Sequence, residues 1–108
     1  DGTTRYPEPD GLPLRQHLGY LLCNLAGVHR DLEQPGKARS CYEEALRIFV
    51  ADLGPTSDDA VTMAHNLVGL GVDPLIAVRE HAGESAASAL RDAYRQTHTT
   101  DPTPEPIS

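Results

Sequence analysis

Leu14, Leu18, Leu21, Leu25, Val28 and Leu32 recur at alternating steps of four and three residues. That spacing lines one face of an α-helix beginning near Leu12 or Pro13, and it is the strongest periodic signal in the chain. Pro35 and Gly36 interrupt it. Proline is best tolerated in a first helical turn, so a second helix is expected to open there. Its apolar face is Ala38, Tyr42, Ala45 and Phe49, widened by Leu46, and a link of about two residues forces it antiparallel to the first. Leu53-Gly54-Pro55 ends that helix, because glycine suits a left-handed cap and proline cannot continue.

The second half follows the same rules. Thr56 or Ser57 can cap a third helix with Ala60, Ala64, Leu67, Val68 and Gly71 on one face and Asp58 and Asp59 at the favourable end of its dipole. Asp73-Pro74 is a cap followed by a first-turn proline. It opens a stretch whose apolar or small positions are Leu75, Val78, Ala82, Ala86, Leu90, Ala93 and Thr97. One long helix fits that spacing, and Gly83 makes a break near 82–84 the alternative. No alternating run or hairpin turn competes, so the expectation is an all-α fold of four helices over about 12–32, 35–53, 57–70 and 74–97. Residues 1–11 and 98–108 are rich in Pro, Thr, Asp and Glu and are expected to be extended or disordered.

Composition narrows the function classes. The 108 residues suffice for one modest domain, here 12–97. A formal net charge of −7 opposes the phosphate attraction behind nucleic-acid affinity, and anionic membranes are disfavoured for the same reason. No apolar run reaches the ~20 residues of a membrane span and the first residues carry no signal pattern, so the expected location is the cytoplasm. The chain begins at Asp1, which fits a segment of a larger protein. Cys23 and Cys41 fall in apolar helical patterns and read as core residues.

Two segments nearly repeat: Cys23-Asn24-Leu25-Ala26-Gly27-Val28 and His65-Asn66-Leu67-Val68-Gly69-Leu70 both read x-Asn-Leu-small-Gly-aliphatic, 42 residues apart from Asn24 to Asn66. A recurrence at that period points to a duplicated helix pair, hence to a binding scaffold. Leu22, Leu25 and Ala26 on the first helix, with Ala38, Tyr42 and Ala45 on the second, give a large-large-small then small-aromatic-small pattern over residues 19–52. That pattern resembles the tetratricopeptide repeat, with small residues letting helix axes approach and Tyr42 filling the space between. His29 and Glu33 depart from it, at places where the family usually has Tyr and Gly. The 42-residue period resembles the longer repeats of kinesin light chains and bacterial multidomain regulators. In the second unit the small-large-small set returns as Ala86, Leu90 and Ala93, which lies 48 residues beyond Ala38 and leaves extra residues between its helices.

The resemblance implies antiparallel hairpins in about two units and a ligand groove along the first helix of each. Its groove positions here are Tyr20, Cys23, Asn24, Gly27, Arg30 and Asp31, then Thr62, His65, Asn66, Gly69 and Asp73. Asn24 and Asn66, one repeat apart, offer amides able to grip an extended peptide backbone. The chaperone-type carboxylate clamp needs Lys or Arg where Tyr20, Cys23, Thr62 and His65 stand, so that ligand class is not expected. No metal-binding or catalytic spacing occurs among the five histidines and two cysteines, and no enzyme, metal or cofactor is expected. The expected role is protein or peptide interaction in a larger regulatory protein; the alternative is a structural homodimer without a peptide groove, and a remote one is a His/Cys-dependent enzyme using a pair such as Cys23 and His65. A Leu-rich first helix with no preceding repeat to cover it predicts self-association or packing against a neighbouring domain.

Overall fold

The computed structural model describes residues 14–102, and these form an all-helical fold: α1 (Leu14–Asp31), α2 (Pro35–Leu53), α3 (Asp58–Gly69), α4 (Pro74–Ala82) and α5 (Glu84–His98). The helix count is therefore five, not four. Gly83 accounts for the difference. It sits at φ 95° and ψ 173°, a region essentially reserved for glycine, and this splits the last apolar stretch into α4 and α5. Residues 1–11 and 103–108 of the expected extended ends lie outside the described residues. In the short segment after α5, Arg95 pairs with Asp101 at 3.3 Å and Pro102 is buried.

Local chemistry sets each boundary. The link from α1 to α2 is a Schellman motif: Gln34 N–H donates to the His29 carbonyl, Glu33 N–H donates to the Arg30 carbonyl, and Glu33 takes the left-handed φ of 59°. The same motif closes α3, where Val72 donates to Leu67, Gly71 donates to Val68, and Gly71 supplies φ 80°. Ser57 Oγ accepts from the Ala60 N–H at 3.1 Å, and Asp73 Oδ1 accepts from the Leu75 N–H at 2.9 Å, so both expected N-caps form.

The core sits around α2. Ala38, Tyr42, Ala45, Leu46 and Phe49 are buried, and with them Ala60, Ala64 and Leu67 of α3, Leu75 and Val78 of α4, and Ala87, Leu90 and Tyr94 of α5. Helices α1, α3 and α4 each pack on α2, while α5 covers α3 and α4. Arg15 pairs with Asp52, a Gly19 Cβ would meet Phe49 and Ile48, and Tyr20 packs on Phe49. Residue numbers that rise along α1 meet numbers that fall along α2, which makes the pair antiparallel.

Helix α1 has two opposed rows. The inner row is Gln16, Gly19, Cys23 and Ala26, of which Gln16, Gly19 and Ala26 are buried. Gly19 is needed there, because a Cβ would stand 2.8 Å from Phe49 Cζ. The outer row is the leucine series of the sequence. Leu14, Leu18, Leu21, Leu25 and Val28, continued by Leu32 in the turn just beyond the helix, remain 45 to 76% exposed.

The two Asn-Leu-small-Gly segments lie in helices of different reach: α3 ends three residues after Asn66, whereas α1 runs seven residues beyond Asn24, and the short helix α4 separates α3 from α5. On α5 the buried set is Ala87, Leu90 and Tyr94, with Ala86 and Ala93 half-buried beside it.

Candidate functional site

Tyr20 joins α1 to α3. Its ring lies 5.0 Å from that of Phe49, and its hydroxyl donates to Asp59 Oδ2 at 2.5 Å. That hydrogen bond comes first, followed by burial and the carboxylate charge, in pushing the Tyr20 hydroxyl from 10.0 up to about 12. Asp59, Thr62 and Asn66 are three and four residues apart on α3 and share one helix face. Tyr20, Cys23, Asn24, Gly27 and Asp31 share a face of α1 in the same way. The Tyr20–Asp59 bond thus brings together the two faces assigned to the groove.

The individual groove residues are not equivalent. Asn24, Arg30, Asp31, Thr62 and His65 are exposed, whereas Tyr20, Cys23 and Asn66 are half-buried. Burial pushes the Cys23 thiol up, the Asp59 carboxylate adds to this, and Arg30 opposes it. Such a thiol stays protonated, opposite to an activated nucleophile. Burial also raises the phenol of Tyr42 beneath, with Arg30 acting against the shift and Cys23 and Asp31 reinforcing it.

His65 faces away from this arrangement. Its Nδ1 lies 3.2 Å from the Tyr94 hydroxyl and its ring stacks on His98 at 4.7 Å. His98 in turn stacks on Tyr94 at 4.1 Å, so the three rings form a cluster between α3 and the end of α5. Asp73 spends its carboxylate on the N-cap of α4. Asp59 was read from sequence only as a favourable first-turn charge; its second role depends on a partner 39 residues away that no local pattern identifies.

A cleft of about 450 Å³ opens between α2 and α4, lined by Arg39, Glu43, Arg47, Asp73, Ile76 and Glu80 among others. A second, of about 260 Å³, shares Arg39, Gly71 and Val72 with it. Arg39 already pairs with Glu43 at 3.1 Å and Arg47 with Glu44 at 2.7 Å, so these guanidinium groups are partly committed. No sequence motif marks this cleft, since its residues come from two helices and a turn.

Among the described residues no group of three or more His, Cys, Asp or Glu side chains is placed to hold a metal ion, and both cysteines are free thiols. No described helix is long and apolar enough to cross a membrane. No protein-family model, curated protein or solved structure matches the chain.

Proposed function

We propose that the chain is a tetratricopeptide-like interaction module, acting by protein binding within a larger cytoplasmic regulatory protein rather than by catalysis. One observation carries this reading. Five aliphatic side chains of α1, continued by Leu32 in the turn after it, stand in a single exposed row while small residues of the same helix make the contact with α2. A row of that size exceeds the scattered apolar residues that a monomer ordinarily shows to water, and such patches mark interaction sites. Holding it in water costs stability, and covering it with another chain recovers ~25 cal/mol for each Å² buried.

The groove supports a second reading, in which an extended peptide lies over Asn24 and Asn66. It is favoured by the Tyr20–Asp59 bond, which holds the two faces side by side.

A photo-crosslinking amino acid in place of Leu21 tests the first reading in the producing cells. Adducts of discrete mass are expected. Their complete absence, with the chain folded and expressed, removes the outer face of α1 as an interaction surface.

A further inference from the structure

We infer that the outer row of α1 is covered by α1 of a second copy of this chain, running antiparallel; this rests on the interaction reading above and names its partner. The row alternates steps of four and three without exception from Leu14 to Leu32, so that Leu14, Leu21 and Val28, and again Leu18, Leu25 and Leu32, recur every seven residues. That is the period of a helix-on-helix seam, which keeps one stripe facing a partner helix. In seam positions Leu18, Leu25 and Leu32 are a residues, and Leu14, Leu21 and Val28 are d residues.

The row is complementary to itself when reversed about Cys23. Leu14 then meets Leu32 of the other copy, Leu18 meets Val28, and Leu21 meets Leu25, so all six layers on each copy are filled. A parallel pair is a poorer fit. Two-stranded parallel coils favour β-branched residues at a and leucine at d, and here leucine fills a while the one β-branched residue, Val28, is at d.

Charge favours the same arrangement. The whole chain carries −7, which opposes self-association, yet α1 holds two arginines, Arg15 and Arg30, against a single acid, Asp31. The seam therefore lies on a helix that carries none of the chain's acidic excess. Beside these layers an antiparallel seam sets the position before each a residue against its own kind, so Asp31 lies beside His17 of the other copy and Asn24 beside its own counterpart, where an amide can both donate and accept. On the other flank, the positions after each d residue meet in the same way: Arg15, already paired with Asp52 at 3.4 Å, lies beside His29 of the other copy.

Sedimentation of the purified full chain over a dilution series is expected to give twice the monomer mass. Replacing the central layer, Leu21→Lys with Leu25→Lys, should raise the dimer dissociation constant at least ~100-fold, since unpaired ammonium groups would have to be buried. Helical circular dichroism should be unchanged, because neither side chain belongs to the monomer core. Independently of that variant, a photo-crosslinker at position 14 should join the other copy near Leu32. Crosslinks near residue 14 would establish a parallel pair and overturn the proposal. A monomer at every concentration overturns it too; so does a position-14 crosslink within one chain to residues 1–13. If such a monomer still gives discrete adducts with a different protein through position 21 in cells, the interaction reading stands without the dimer. Absence of every adduct removes both.

Discussion

The Tyr20 hydroxyl, on the second turn of α1, donates to Asp59 on the first turn of α3 across 39 residues of sequence, at 2.5 Å. It connects two helices that otherwise meet mainly through α2. The bond exists only while the phenol keeps its proton.

A pH dependence follows with a definite sign. Tyr20 has its folded value raised from 10.0 to about 12, so its contribution is complete below pH 10.0 and is lost as pH rises toward about 12. Stability should fall across that alkaline window. Tyr20→Phe should lower the starting stability and flatten the fall, and the tyrosinate absorbance titration should lose its latest component. A variant with the same alkaline slope as the parent would show that the hydrogen bond carries no stability.

Gly19 and Gly27 lie on the same helix and predict opposite outcomes. At Gly19 an added Cβ meets Phe49 Cζ at 2.8 Å and Cε1 at 2.9 Å, and that ring is fully buried and held against Tyr20. Overpacking of this kind costs about 1–3 kcal/mol, more than the ~1 kcal/mol gained in helix propensity. Gly19→Ala should therefore destabilise by about 1 kcal/mol net. At Gly27 nothing lies within 4 Å, so Gly27→Ala should stabilise by about 0.5–1 kcal/mol. Denaturant midpoints of the two variants on opposite sides of the parent would confirm the close docking of α1 on α2.

How far the sequence disclosed the fold depends on which residues carry the signal. Local signals were legible: the apolar face of α2 is buried where Ala38, Tyr42, Ala45 and Phe49 place it, and Ser57 and Asp73 cap the helices they precede. The all-α class followed from them. The leucine row was legible as a helix, but its periodicity does not say which way the helix faces. That was decided by Gly19 and Ala26, small residues that let α1 approach α2 and leave the larger side chains outside. In the candidate site, Tyr20 and the groove faces were marked by the repeat. Asp59, the His65–Tyr94–His98 cluster and the cleft beside Arg39 depend on long-range packing, which no short spacing encodes.

Two turn positions test the same backbone argument in opposite directions. Glu33 occupies the left-handed position of a Schellman motif where Gly71 serves the matching motif of α3. A non-glycine residue is strained there by ~1–2 kcal/mol, so Glu33→Gly should stabilise by about 0.5–1 kcal/mol after the entropy of the freed chain is deducted. At Gly83, with φ 95° and ψ 173°, Gly83→Ala should cost about 1–3 kcal/mol. Thermal melts with the same signs would confirm both turns. A neutral Gly83→Ala would mean that α4 and α5 fuse readily into one helix.

The recurring asparagines can be separated into ligand-binding and structural residues by measuring two quantities on the same variants. Asn24 is exposed and Asn66 half-buried, each on the face that the Tyr20–Asp59 bond sets beside the other. An exposed helical asparagine replaced by alanine loses no packing and gains propensity, so Asn24→Ala should shift stability by no more than ~0.5 kcal/mol. Asn66→Ala carries the larger risk of a structural cost. If an extended peptide binds along the groove, each substitution removes hydrogen bonds worth about 0.5–1.5 kcal/mol, so affinity should fall roughly 2- to 10-fold per site at unchanged fold. The antiparallel pairing of α1 makes a different demand on the same residue. With Asn24 facing its counterpart beside the two-fold axis, Asn24→Ala should weaken the dimer while Asn66→Ala should not. Sedimentation and peptide-binding titrations on these two variants, read beside their denaturation midpoints, therefore distinguish a groove amide from a seam amide.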